Sequence, residues 1–357
     1  MDQDAAIRLI KAQRALPSRR HALQLMLGGA LWASLDNGRA IARPGTTLDA
    51  TLIGRAAQTA RQFSQIHSLI IARGGEIAFA EAFRGPALDR AVNVKSVSKS
   101  FVAALTGAAI DKGVLNGVDQ TLSAISPALI PKNADPKARD LTVAELLTMQ
   151  AGLERTSGPN YGRWVESRNW VAYALSQPLI AEPGERMLYS TGSYHVLGAA
   201  LARVSGKSLH ALAREWIGDP LGIAVPAWRR DPQGFYFGGN DMTLSPMAML
   251  RFGEMHRLGG LWRGERVLSE AWLREAWTPR TLSPYSGDDY GYGWFIASLS
   301  GEKVAYARGY GGQMIYIVPA LQVTVVVTSD PNQPARSDGY VGDLRRMLET
   351  DIIPAAL

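Results

Sequence analysis

Val94-Lys95-Ser96-Val97-Ser98-Lys99-Ser100-Phe101 is the stretch on which the rest of the chain turns. The residues after it, Phe101 to Lys112, are rich in Ala and Leu, so a helix is predicted to begin here with Ser96 and Lys99 on one face of its first turn. An amine held against a hydroxyl makes a nucleophile, because a lysine of lowered pKa can take the proton of a serine that is otherwise weak at neutral pH. Taken alone, Ser-x-x-Lys also fits a capped helix start with a solvated lysine. Its surroundings must decide.

Upstream, Thr47 to Gln65 places Leu48, Leu52, Ala56 and Ala60 on one helical face. Ser68-Leu-Ile-Ile-Ala-Arg73, the pair Gly74-Gly75 and Glu76-Ile-Ala-Phe-Ala-Glu-Ala-Phe83 then read as a β-hairpin. Downstream, from Ile110 to about Ser283, the pattern is helical and punctuated by proline and glycine. Helices are predicted from Thr142, over Trp164 to Leu175, Ser193 to Ser205, Ser208 to Ile217, Ser245 to Arg257 and Ser269 to Trp277. Strands return at Tyr292 to Ala297, Lys303 to Tyr306, Met314 to Val318 and Gln322 to Thr328, and a last helix runs from Gly342 to Ile352. The fold class is α+β: an antiparallel sheet flanked by helices, with an inserted all-helical region. The sheet part spans about 45–95 and 285–352, and the helical part about 100–284. The Ser96 helix passes from one to the other, which places its N-terminus in the cleft between them, where ligand sites form.

Forty-six per cent hydrophobic and 20 per cent charged residues over 357 positions describe a globular chain with a substantial core. The net charge of +6 suggests a polyanionic partner, but residues 1–42 hold six Lys or Arg against three Asp or Glu, leaving +3 for the rest. That balance, with no basic run interleaved with aromatics, argues against nucleic acid. Absence of cysteine excludes disulfides, thiolate metal sites and a cysteine nucleophile. His67, His210 and His256 stand alone without metal-ligand spacing, so neither metal nor cofactor is expected.

The first 42 residues read as a leader. Pro17-Ser18-Arg19-Arg20 precedes a short apolar run, Ala22 to Ala33, and a small-residue site, Ala40-Ile41-Ala42. This is the layout of a twin-arginine signal peptide, too short to span a bilayer, and it predicts cleavage after Ala42 with delivery to the periplasm or outside. The mature domain is then 43–350.

Two further clusters accompany Ser96. Pro183-Gly184-Glu-Arg-Met-Leu-Tyr189-Ser190-Thr191-Gly192 leads into a helix, and Arg308-Gly309-Tyr310-Gly311-Gly312-Gln313 precedes a strand. Because a strand follows it, the second is not a nucleotide loop, and its glycines suit close approach of a substrate to a sheet edge. In this order and separation the clusters resemble the serine β-lactamase and penicillin-recognising hydrolase family, on its class C, DD-peptidase, esterase and 6-aminohexanoate-dimer hydrolase side. Ser96-Val97-Ser98-Lys99 matches the family's first motif, Tyr189-Ser190-Thr191 stands where it has Tyr-x-Asn, and Tyr310-Gly311-Gly312 where it has Lys-Thr-Gly or His-x-Gly.

The resemblance implies a serine hydrolase acting through an acyl-enzyme on a small ester or amide. Ser96 would be the nucleophile, Lys99 and Tyr189 the proton shuttle, and the backbone N–H groups of Ser96 and Gln313 the oxyanion donors. Thr191, Tyr310, Gly311 and Gly312 would meet the substrate. Thr191 lacks the family's carboxamide and Tyr310 its cation, which argues against an efficient β-lactamase. Arg308, on the strand face of Tyr310, is either a replacement cation or a surface charge. A D-Ala-D-Ala-type peptidase, a weak β-lactamase and a non-catalytic binding protein remain as alternatives. His195 falls in a helical pattern and reads as packing or surface rather than a triad base, while Trp164 and Trp170 are placed in the cleft wall.

Overall fold

The computed structural model describes residues 47–357; the leader expected over residues 1–42 lies outside the described residues. Helix α1 (Ala50–Gln62) starts at Asp49, whose side chain accepts from the N–H groups of Thr51 and Leu52, and buries Ile53, Ala56, Ala57 and Ala60. Strands β1 (Ile66–Arg73) and β2 (Glu76–Ala82) form the expected hairpin, with Gly74 and Gly75 both at positive φ in its turn. β1 is buried on both faces while β2 alternates exposed and half-buried, the pattern of a sheet edge.

After β3 (Val92–Asn93) comes helix α2 (Val97–Asp111), on which every residue from Val97 to Ala109 is buried. A helix apolar all round must lie inside the molecule. Its neighbours approach closely: a Cβ at Gly107 would stand 2.3 Å from the Trp272 ring. The helical region continues through α3 (Val143–Thr148), α4 (Tyr161–Val165), α5 (Trp170–Leu175) and α6 (Thr191–Ser205). The single helix predicted over Trp164 to Leu175 is two, because Asn169 caps a new start by accepting from the Ala172 N–H. Strand β4 (Thr243–Leu244) pairs with β3, and α7 (Pro246–Arg257) and α8 (Glu270–Ala276) follow.

The chain closes with β5 (Thr281–Leu282), β6 (Asp289–Tyr290), β7 (Phe295–Leu299), β8 (Glu302–Gly309), β9 (Gln313–Val318), β10 (Val323–Ser329) and α9 (Tyr340–Met347). One sheet has the order β2-β1-β10-β9-β8-β7-β6-β5. Its pairs are antiparallel, and the N-terminal hairpin joins the late strands through β1 and β10, where Ile70 faces Val326. Two short strands, β5 and β6, extend the sheet beyond the six expected from the sequence; at two residues each they are below what an alternation pattern reveals. α1 meets the helical turns that follow α9 (Leu348–Ile352 and Ile353–Ala356) through Asp49 N–H to Ala355 C=O and Arg55 to Asp351. α7 lies against β9 and β10, where Gly253 abuts Ile315 and Thr324.

Candidate active site

Ser96 is the residue before α2, at φ −75° and ψ 0°, and the residue ahead of it, Lys95, has φ +50°. A lysine in the left-handed region is held there by its surroundings. Its N–H donates to Asn93 Oδ1 at 2.8 Å, and its Nζ lies 3.3 Å from Asp241, which also accepts from Asn93 Nδ2 at 2.9 Å. The turn that presents Ser96 is thus clipped to the segment ahead of β4.

One turn on, Lys99 Nζ lies 3.0 Å from Ser96 Oγ, 3.2 Å from Thr191 Oγ1 and 2.7 Å from the Gly239 carbonyl oxygen. Lys99 is only 2% exposed, and burial pulls its pKa below the usual lysine value, against an opposing pull from Tyr189 and then Asp241. The three contacts match the three N–H groups of the ammonium, and loss of one proton frees a lone pair toward Ser96. In the neutral amine two N–H groups would still donate to Thr191 and Gly239, leaving the lone pair to take the Ser96 proton. The Tyr189 ring stands beside it, its centroid 4.9 Å from Nζ.

Thr191 is fixed from two sides. Its Oγ1 lies 2.9 Å from Ser157 Oγ, and Ser157 accepts from the Thr191 N–H at 2.8 Å, while Thr156 Oγ1 accepts from the Gly192 N–H. Side chains of the 156–157 loop therefore satisfy the free N–H groups at the start of α6. This hydroxyl pair occupies the place where the sequence comparison led to a missing carboxamide.

The sheet closes the other side. A Cβ at Gly309 would lie 2.4 Å from the Val94 carbonyl oxygen and 3.1 Å from Lys95 Cβ, so the end of β8 touches the Ser96 turn directly. Gly309 and Tyr310 line the cleft with Ser96, Tyr189 and Thr191, in a volume of about 1090 Å³. Among the described residues, neither the Ser96 nor the Tyr310 N–H has a backbone acceptor.

Gln313, expected as the second backbone donor, does not line the cleft. It is fully buried opposite Gly309 in the β8–β9 ladder, with its side chain bonded to both N–H and C=O of Ser329. Gly311 and Gly312 do not line the cleft either. At φ +82° and +92° they make the turn, and a Cβ would meet the Asp330 carbonyl at 2.3 Å or the Tyr340 ring at 2.5 Å. The glycine the site requires is Gly309, two residues ahead of the pair that drew attention. Trp164 and Trp170 are also corrected: they are 0% and 2% exposed and pack on His195 and Phe237 below the site. His195, expected in packing or at the surface, is fully buried.

Arg308 lines the cleft, donating to Ser337 Oγ at 2.7 Å and the Ala335 carbonyl at 3.2 Å, with no carboxylate partner among the described residues. Residues missed in the sequence include Asn240, a cleft residue bonded to Tyr161 OH at 3.1 Å, and Gly239 beside it. The glycine pair in Gly238-Gly239-Asn240-Asp241 was the available signal. Among the described residues no group of acidic and histidine side chains is placed to hold a metal, and no helix is long and apolar enough to cross a membrane.

A lysine buried against a serine at a helix start, facing a tyrosine and a strand-end glycine across a helical/sheet cleft, is the architecture of the penicillin-recognising hydrolases. The beta-lactamase family model matches residues 56–348, and the chain belongs to that family, whose members are mostly hydrolases. The fold is similar to an octameric penicillin-binding protein homologue from Pyrococcus abyssi, at TM-score 0.67 and 20% identity over 85% of this chain and 76% of that one. A putative 6-aminohexanoate-dimer hydrolase from Bacillus anthracis superposes at 0.68 with 18% identity, covering 79% of this chain and 78% of its own. EstCE1, described as a hydrolase with promiscuous acyltransferase activity, superposes at 0.69 with 19% identity, covering 84% and 98%.

Proposed function

We propose that the chain is a serine hydrolase that cleaves a small ester or amide through an acyl-enzyme on Ser96. The observation that carries this is the buried Lys99 amine 3.0 Å from the Ser96 hydroxyl, with its remaining hydrogen-bond capacity taken by Thr191 and Gly239. A solvated lysine behind a helix cap would not be held in this way.

Ser96 Oγ attacks the substrate carbonyl carbon while its proton passes to the Lys99–Tyr189 pair. The oxyanion is held by two backbone N–H groups, Ser96 and Tyr310, each worth on the order of 3 kcal/mol of barrier. Collapse breaks the C–O or C–N bond, and the leaving group departs with the proton from the pair. A water then gives its proton to the pair, attacks the acyl carbon and releases the acid, and Ser96 Oγ is reprotonated.

Arg308 favours substrates with a carboxylate. This cleft arginine has no acidic partner among the described residues, and an acidic group on the substrate would match its fork geometry. This leaves room for a D-Ala-D-Ala-type peptidase beside the esterase and amidase reading. Export through the twin-arginine route belongs to the same proposal and rests on residues 18–42; N-terminal sequencing of exported protein should find Arg43 first, and Met1 would refute it.

The test is a panel of short acyl p-nitrophenyl esters, linear amides, D-Ala-D-Ala peptides and nitrocefin, with Ser96→Ala as control. Turnover of an ester or amide that the control lacks supports the proposal. No turnover of any member favours the non-catalytic binding protein.

A further inference from the structure

His195 and Asp231 form a buried pair that the reaction above does not use, yet hydrogen bonds lead from it to Lys99. Both side chains are 0% exposed, with His195 Nε2 3.0 Å from Asp231 Oδ2. The other carboxylate oxygen accepts from the N–H groups of Gln233 and Phe235. A carboxylate so deeply desolvated survives only with its acceptors filled, and an apolar pair of similar volume would serve packing alone as well or better. The imidazole sits among Trp164, Trp170 and Phe237, which hold its ring plane.

The partners fix the tautomer. Nδ1 faces the Gly238 N–H at 3.4 Å and must accept, so the ring proton is on Nε2 and donates to Asp231. Gly238 and Gly239 are seated on the first turn of α6: a Cβ on Gly238 would lie 2.2 Å from the Tyr194 carbonyl oxygen, and one on Gly239 2.9 Å from that of Thr191. The carbonyl of Gly239 is the shortest of the three Lys99 contacts, at 2.7 Å. Thr191 and His195 are four residues apart on α6, so one helix face supplies one Lys99 acceptor directly and the other through the glycine pair.

We propose that His195, oriented by Asp231, is a positioning residue for Lys99. By accepting from the Gly238 N–H it fixes the Gly239 carbonyl, which aims the Lys99 amine at Ser96. The far end of the same segment is held by Asp241 on Asn93 and Lys95, so the Gly239 carbonyl is braced on both sides. The proposal rests on the reading of Lys99 as the base.

Two variants separate positioning from packing. His195→Gln keeps a donor for Asp231 and loses the acceptor for Gly238; His195→Asn can keep the acceptor near Nδ1 and lose the donor. Both are assayed as full chain on p-nitrophenyl acetate, beside Lys99→Ala, with thermal melts and a pH profile of kcat/KM. Positioning requires the Gln variant to lose roughly 100-fold in kcat at near-constant KM, with a displaced acid limb, while melting close to wild type. The Asn variant should melt lower, its Asp231 unpaired, and retain more kcat than the Gln variant. A Gln variant with wild-type kcat and pH profile, or an Asn variant slower than it, overturns the proposal. If Lys99→Ala itself retains activity, the reading of Lys99 as base fails instead.

Discussion

Gly309 and Val94 touch backbone to backbone: a Cβ on the glycine would stand 2.4 Å from the valine's carbonyl oxygen. The nucleophile's turn is thereby registered against the end of the strand that supplies the second cleft N–H. Gly309 does not have positive φ, so glycine is required there for space and not for conformation. Gly309→Ala should lose about 100-fold in kcat, because parting the two backbones moves Ser96 away from Tyr310. Gly113→Ala is the comparison: it has φ +67° with nothing within 4 Å, and should cost about 1 kcal/mol of stability with kcat unchanged. Steady-state rates and thermal melts on both variants check this.

Burial of Lys99 has a cost in stability that follows from its sign. Its pKa in the fold lies below the 10.5 of an exposed lysine, so the unfolded chain binds more protons between the two values. Stability therefore rises with pH through that window, and below it the penalty of a charged or neutralised buried amine is fully present. Lys99→Met should be inactive yet more stable than wild type at neutral pH, by about 1–2 kcal/mol. Chemical denaturation at pH 7 measures the difference. Activity of the wild type should rise with pH through an acid limb that belongs to Lys99 and lies below the usual lysine range.

His256 sets an acid limit that is separate from the site. It is fully buried, its Nδ1–H donating to the Phe252 carbonyl and its ring 4.8 Å from Trp294, and burial pushes its pKa down to about 4 from 6.5. A histidine kept neutral in the fold contributes no penalty above 6.5; stability falls as the pH drops from 6.5 to about 4, by up to about 3 kcal/mol. His256→Gln should flatten that part of the stability profile and leave the pH dependence of kcat unchanged. Melts from pH 7 to pH 4 on both proteins test it.

The fold was legible because its signals are long. The Gly74-Gly75 hairpin, the Ala-rich helix after Ser96 and the β-branched run from Val323 to Ser329 are each an extended apolar segment whose composition and flanking turn residues name its type. Ser96, Lys99 and Tyr189 were legible for a different reason, since motif spacing names them without a structure. The sheet side of the cleft was placed two residues too far along because Gly311-Gly312 is conspicuous in sequence and Gly309 is not. What distinguishes them is the atom each would strike, Asp330 and Tyr340 against Val94, and those lie far off in the chain. Gly239 and Asn240 escaped notice because their one signal, the Gly238-Gly239 pair, does not show that the Gly239 carbonyl meets Lys99 or that Asn240 reaches the cleft.

Arg308 should decide between neutral and acidic substrates. Arg308→Gln removes the charge but preserves a donor for Ser337, so the loop should remain in place. KM for a substrate bearing a remote carboxylate is expected to rise about 10-fold to 100-fold, the worth of a charge-assisted bond, with little change for a neutral ester of the same length. Equal effects on both would return Arg308 to a loop anchor.

The central claim, that Ser96 carries the acyl group, is tested most directly by intact-protein mass spectrometry after a fluorophosphonate or a p-nitrophenyl ester, with peptide mapping of the adduct. One adduct per chain, on the peptide containing Ser96 and absent from Ser96→Ala, is the expected result. An adduct mapped to any other residue, or one that persists in Ser96→Ala, would contradict it.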